Sequence, residues 1–292
     1  MSRETSRGRA SVRLLCEAFG ISRQAYYAAL RRPARAAARR RPERAGDWAT
    51  AAELEAGVRR VAAEHPAWGV RKIRASLRRE GVAASHKRVW AMAKALGLVL
   101  PAPRERDPEA PRGQVVAATS DRRWATDLTT AWTKRDGVVA IVPVIDCGDR
   151  YVLACGVTKP QEAPSVLAPV SEALRGAFGR PGLVPDGLEL RTDHGPQYTG
   201  ADCDALCAEW RLDHTLAPVG RPTGNAVAER VIQTLKVELL WTRDFESIDE
   251  LRGAVAAWLR VYNDARPHQA LGWQTPAERR KENIAAARAD AA

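Results

Sequence analysis

Apolar positions recur at helical spacing through the first third of the chain, and at strand spacing from residue 122 onward. Within 10–31, ASVRLLCEAFGISRQAYYAALR predicts two short helices around Phe19-Gly20-Ile21, with Ser22 as N-cap of the second. The same segment reads equally as an ordinary helical hairpin. Within 49–98, Leu54, Val58, Val61 and Ala62 mark one helix; Val70, Ile73 and Leu77 mark a second, stopped by Gly81. Ser85 caps a third, with Val89, Met92 and Leu96 inward and Gly97 at its end.

Beyond residue 122 the runs RRWATDLTTAWTK, GVVAIVPVIDC and RYVLACGVTK read as three strands. A helix over 163–178, a fourth strand over 188–193, a helix over 200–210 and a fifth strand in LDHTLAPV follow. GRPTGNAVAERVIQTLK, 220–236, opens the next helix, and Ala228, Ile232, Leu235 and Leu239 form its apolar stripe. A last amphipathic helix turns Leu251, Val255, Trp258, Leu259 and Tyr262 inward, ends near Asn263, and leads into an Arg266-Pro267-His268 turn against the core. The order β-β-β-α-β-α-β-α gives an α/β fold: a ribonuclease H-like core, a mixed five-stranded sheet with flanking helices, behind all-α helix-turn-helix modules. The expected division is 1–45 (helix-turn-helix and basic linker), 46–100 (second helix-turn-helix), 101–114 (linker), 115–245 (core) and 246–292 (C-terminal helix and tail).

Charge divides the chain unevenly. Of a net +11, residues 1–112 carry 25 Lys and Arg against 11 Asp and Glu, while 113–292 carry 21 against 24. A basic first part suits a polyanion, because each neutralised phosphate releases counterions. Arg23 and Tyr26 lie on the second of the early helices. Arg71 and Lys72 flank the second helix of the next module, and Lys87 and Arg88 occupy the first turn of its third, where a recognition helix meets the major groove. A solvated basic face is the competing reading. No apolar run approaches the ~20 residues of a membrane helix, and no secretory signal is visible, so a cytoplasmic, nucleoid-associated protein without membrane contact is expected. The five cysteines, Cys16, Cys147, Cys155, Cys203 and Cys207, contain no C-x-x-C and read as buried free thiols.

Candidate chemistry rests on acids. Asp127 lies in the first strand, Asp193 where the fourth strand meets HGPQYT, and Glu229 at the edge of a helical apolar stripe. Singly, each has an ordinary reading as a turn former or a surface acid. In a ribonuclease H-like sheet the first and fourth strands are neighbours, which brings both aspartates to one place beside the late helix. Crowded carboxylates resist ionising until cations neutralise them, and an all-oxygen ligand set suits Mg2+ or Mn2+ as a pair of ions. By the same test Asp146, Asp149, Asp186, Asp213 and Asp264 read as structural or solvated.

WATDLT around Asp127, TDHGPQYT around Asp193 and GRPTGNAVAERVIQTLKVE around Glu229, with 35 residues between the last two acids, resemble the DDE catalytic core of insertion-sequence transposases related to retroviral integrases. YNDARPHQALGWQTPAE is similar to their closing segment, and HPAWGVRKIRASLRREGVAASHKRVWAMAKALGL resembles the helix-turn-helix that precedes the core. The nearest subgroup is the OrfB-like one, the downstream product of two reading frames. The resemblance spans 60–280 well and 10–30 loosely, and no HHCC zinc module accompanies it. It implies a catalytic and metal-binding triad of Asp127, Asp193 and Glu229 with two Mg2+ (or Mn2+) ions. The implied reaction is donor-strand cleavage by water, then strand transfer by a 3′-hydroxyl. It implies double-stranded DNA partners (terminal repeats and target), a homo-oligomer on DNA, and an upstream reading-frame protein as a further partner. Asn225 would fix the helix start and Lys236 would touch donor phosphate; Gln197 and Tyr198 would shape the target-strand path or serve turn and packing roles. The chain departs from the pattern at His194, which contacts the scissile phosphate or caps the turn, and in the negative balance of its core. Competing readings are a non-catalytic DNA-binding relic and a ribonuclease H-like nuclease that cuts without joining.

Overall fold

The computed structural model describes residues 48–101, 119–218 and 225–290, with positions 12, 16 and 22. The early helix pair with Arg23 and Tyr26, and the linker beyond residue 101, lie outside the described residues. Contacts divide the chain into 1–48 and 49–292, and the fold below belongs to the second unit.

Three helices come first: α1 (Ala51–Glu64), α2 (Val70–Arg79) and α3 (His86–Ala95). A capping box starts α1: Thr50 Oγ1 accepts from Glu53 N at 3.2 Å and Glu53 Oε2 accepts from Thr50 N at 2.8 Å. Ser85 caps α3 as its sequence predicts, accepting from Arg88 N at 3.3 Å. Leu54, Val58, Trp68, Ile73, Leu77 and Val89 bury the core between the helices. A Cβ on Gly57 would stand 2.6 Å from Leu77 Cδ2, so the glycine lets α1 and α2 touch.

The sheet has six strands: β1 (Arg123–Thr126), β2 (Thr129–Thr133), β3 (Gly137–Asp146), β4 (Val152–Thr158), β5 (Glu189–Thr192) and β6 (Asp213–Leu216). β1 and β2 both pair antiparallel with one edge of β3 and β4 pairs with its other edge. β5 runs parallel to β1, and β6 parallel to β5. The single first strand expected from WATDLTT is therefore two, broken at Asp127-Leu128. The register pairs Thr126 with Val144 and Thr129 with Ile141, so the break falls opposite Pro143. A proline has no N–H to give the ladder. Leu128 N instead donates to its neighbour, Asp127 Oδ1, at 2.8 Å.

Alternation on the strands feeds two cores. Trp124, Val142 and Val144 face α4 (Ala163–Phe178) and α5 (Ala201–Trp210). Ala125, Ile141 and Ile145 face α6 (Ala226–Leu235) and α7 (Ile248–Arg260). Burial of both faces explains why β3 is an unbroken apolar run. This is the ribonuclease H-like arrangement expected from the element order, behind a helical module. A final helix, α8 (Pro276–Asp290), stands where only a tail was expected. Arg280 on α8 reaches Asp121, Asp146 and Asp149, so the latter two acids are buried structural groups. No helix among the described residues is long and apolar enough to cross a membrane.

Candidate active site

Asp127 sits at the break after β1 and Asp193 directly after β5. Ala125 pairs with Arg191 in the parallel β1–β5 ladder, and two further steps of that register set Asp127 beside Asp193. Each aspartate is held by its own turn: Asp127 Oδ1 accepts from Leu128 N, and Asp193 Oδ1 accepts from Gly195 N at 3.0 Å. The Gly-Pro turn that makes Asp193 look ordinary is thus what orients it.

Glu229 arrives on α6, whose start is tied to the same place. Asn225, buried, donates from Nδ2 to Thr126 O at 2.9 Å, immediately before Asp127. Glu229 N bonds Asn225 O at 3.1 Å, so the glutamate stands one helical turn beyond the anchor. Val227, Ala228, Val231 and Ile232 bury the helix while Glu229 stays exposed, which explains its place beside the apolar stripe. Asn225→Ala leaves the buried Thr126 carbonyl without its donor. We expect a loss of about 1–2 kcal/mol in unfolding free energy, measured by urea titration; an unchanged midpoint would show that the anchor carries no weight.

The electrostatics record the crowding. Burial, with Asp193 and Glu229 adding their charges, pushes the Asp127 carboxyl up to about 6, against the pull of the Leu128 N–H and of Lys236. Lys236, directly after α6, is close enough for its charge to act on this carboxylate. The three acids share one field, but their oxygens do not all close to within 4.8 Å of one another. Mutual repulsion of uncompensated charges favours that spread. An all-carboxylate set with an acid strained towards protonation suits a hard divalent cation. Asn225 Oδ1, buried at the same end of the sheet without a partner, is a further acceptor awaiting a donor or water.

The other expected residues divide. His194 Nε2 bonds Ala217 O at 2.8 Å, joining the ends of β5 and β6. Tyr198 is 1 % exposed and belongs to the core, and Gln197 donates to Gln161 O at 3.1 Å. On α2, Arg71 is exposed, whereas Lys72 lies 2.9 Å from Glu238. Lys87 is exposed at the start of α3, and Arg88 reaches Ala49 O at 2.6 Å. Arg71 and Lys87 are thus exposed, while Lys72 and Arg88 make bonds within the fold.

Glu238 is the functional-looking residue that sequence reasoning missed. Arg266 Nη2 and Lys72 Nζ each lie 2.9 Å from its Oε1. Burial pulls its carboxyl up, but Arg266 and Lys72 outweigh that and hold it low. This ion triad, with Arg79–Glu278 at 2.6 Å, clamps the helical module to the core. Nothing in the spacing of residues 72, 238 and 266 announces it.

Known proteins resemble this chain in sequence and fold. Two descriptions of an integrase core domain match, over residues 117–222 and 210–276, and an HTH-like domain matches over 49–106. An uncharacterized 31.7 kDa protein of insertion element IS407 from Burkholderia multivorans is 27 % identical over 82 % of this chain and 84 % of its own length. The transposase InsD of insertion element IS2 from Escherichia coli is 28 % identical over 76 % of each chain. Among solved structures, a chain of the simian T-cell lymphotropic virus intasome in complex with PP2A regulatory subunit B56 gamma shares 18 % identity. It covers 76 % of this chain and 74 % of that one, with a TM-score of 0.48.

Proposed function

This chain belongs to the insertion-sequence transposases with an integrase-like core, and from that premise we propose that it cuts DNA at element ends and joins the freed 3′-hydroxyls to target DNA. What supports the reading is placement: Asp127 and Asp193 follow neighbouring parallel strands, and Glu229 stands one helical turn beyond the Asn225 anchor to Thr126.

In the first step a water oxygen attacks a phosphorus at the element end, releasing a 3′-hydroxyl. In the second, that hydroxyl attacks a target phosphodiester and displaces a target 3′-oxygen. Asp127, Asp193 and Glu229 would hold a pair of divalent ions, Mg2+ or Mn2+. Such ions, when bound, activate the attacking oxygen and stabilise the leaving one. The chain's own contribution is positional: the two turns fix the aspartates, and the Asn225 anchor fixes the glutamate. Lys236 adds a positive charge suited to donor phosphate, and the three acids repel phosphate until they are neutralised.

Delivery falls to the helical modules, with residues 46–100 as the DNA-binding domain, 115–245 as the core and 246–292 closing against it. We assign DNA contact to Arg71 and Lys87. Two ends must be held together, so a homo-oligomer on DNA is part of the proposal, as are a cytoplasmic, nucleoid-associated location and an upstream reading-frame partner. The test is a divalent-metal-dependent assay on a terminal-repeat duplex. Cleavage with joining supports transposition, cleavage alone supports a nuclease, and binding alone supports a relic. A second measurement concerns α3. Lys87→Ala should weaken end binding and lower the salt slope by about 1 if it contacts phosphate. A loss of discrimination between end and random DNA would mean base contact instead, and unaltered binding would remove α3 from the interface.

A further inference from the structure

We propose that Cys203, Cys207 and His214 form a zinc site on the β6 edge of the sheet, separate from the acidic site and selecting a different metal. Among the described residues these are the only ones whose ligand atoms all lie within 4.8 Å of one another.

Cys203 and Cys207 stand one turn apart on α5 and face the same way. They are 0 % and 6 % exposed. The chain then reverses through Arg211, in left-handed backbone at φ 54°, and enters β6. That reversal returns His214 to the two sulfurs. Zinc takes sulfur at about 2.3 Å and imidazole nitrogen at about 2.0–2.1 Å. A tetrahedron of those lengths sets its ligand atoms roughly 3.4–3.8 Å apart, so a small contraction from within 4.8 Å closes the site.

The hydrogen bonds fix which nitrogen is offered. The single hydroxyl proton of Thr192 is given to Asp193 O at 3.0 Å. The contact of 3.0 Å between Thr192 Oγ1 and His214 Nε2 must then be donated by the ring. Nε2 carries the proton, and Nδ1 is left with its lone pair. A metal-bound histidine has this arrangement, its second nitrogen donating to a fixed oxygen that orients the ring.

Two thiolates cancel the charge of a divalent ion, so the filled site leaves no net charge in its buried surroundings. Soft sulfur selects zinc over the hard cations suited to the acids. His214 is partly exposed, so the fourth ligand would be water. Thr192 touches both His214 and the Asp193 carbonyl, so zinc here would also brace the strand end that carries Asp193.

The experiment strips the full chain with a chelator and adds zinc alone, in competition with a chromophoric chelator; cobalt(II) replaces zinc for spectroscopy. The expected result is one zinc per chain and a cobalt–thiolate charge-transfer band. Both should be absent in the Cys203→Ala/Cys207→Ala double variant. His214→Gln, at a half-buried position, should lower zinc affinity on the order of 100-fold, and Thr192→Val by about 10-fold. Asp127→Asn should keep zinc at full affinity, which separates this site from the acids whether or not those cut DNA. If the cysteine variant does not fold, His214→Gln and the cobalt spectrum decide alone. Full affinity in His214→Gln, a spectrum without the thiolate band, or zinc binding that disappears with Asp127→Asn overturns the proposal.

Discussion

Replacing Asp127 with asparagine is expected to abolish cleavage and joining while making the metal-free protein harder to unfold. The two effects have one cause. The Asp127 carboxyl is raised to about 6 from an ordinary 3.8, by burial first and by Asp193 and Glu229 after it. The folded value lies above the unfolded one, so the fold favours the protonated form. That contribution is complete below about 3.8 and is lost as pH rises through about 6. At pH 7 the ionised side chain therefore opposes folding, by about 1–2 kcal/mol once its partial exposure is allowed for. Asparagine cannot ionise and escapes the penalty.

Urea midpoints of wild type and Asp127→Asn, measured in chelator, should differ at pH 7 and converge near pH 4. Magnesium should raise the wild-type midpoint by binding only the folded state, and should leave the variant unmoved. Cleavage of a terminal-repeat duplex should fall on the order of 10³-fold, with end binding retained. Asp193→Asn and Glu229→Gln should match that loss. A variant that cuts at the wild-type rate removes the triad. A variant that unfolds more easily at pH 7 than wild type shows that the carboxylates do not crowd.

How much of this was legible in the sequence depends on whether the signal was local. Helix caps, glycine stops and the alternation along β3 are local, and Ser85, Gly81 and Gly97 mark the ends that the structure has. Strand order made the neighbourhood of Asp127 and Asp193 readable, since consecutive hairpins followed by crossovers leave few sheet arrangements. The break in the first strand was not readable from its own residues, because its cause, Pro143, belongs to the facing strand. Ion clusters defeat sequence reading for the same reason. Lys72, Glu238 and Arg266 meet only after folding, so their ion cluster could not be read from spacing. Cys203 and Cys207 read as plain buried thiols because His214, which joins their cluster, is supplied by the next strand. The last helix was missed because α8 is rich in charge and alanine and has no apolar stripe; a buried ion cluster seats it.

That cluster carries the largest effect on stability. Arg280 donates to Asp149 Oδ2 at 2.9 Å, to Asp146 Oδ2 at 3.2 Å and to Asp121 at 2.9 and 3.2 Å. Asp146 and Asp149 are both 0 % exposed. Backbone donors help each of them: Asp121 N and Gly148 N reach Asp146 at 2.6 and 2.7 Å, and Tyr151 N reaches Asp149 at 2.8 Å. Among the described residues the guanidinium is nevertheless the one positive charge hydrogen-bonded to all three acids. Arg280→Met keeps the length and apolar bulk of the stem and deletes that charge. Stranding buried carboxylates in this way costs about 3–5 kcal/mol. Arg79→Met, which breaks the half-exposed pair with Glu278, should cost under about 1 kcal/mol. Acidity supplies the control. Burial first and Asp149 second push Asp146 up to about 7. Its folded value exceeds the unfolded one, so protonation at low pH favours the fold and ionisation through neutrality opposes it. Without Arg280 only the backbone donors oppose the cost of that ionisation, and the loss should be greatest near pH 8 and shrink towards pH 5. Urea titrations of both variants at the two pH values measure it. A loss that ignores pH, or one no larger than that of Arg79→Met, would mean that α8 is held by its apolar contacts and that Arg280 is incidental.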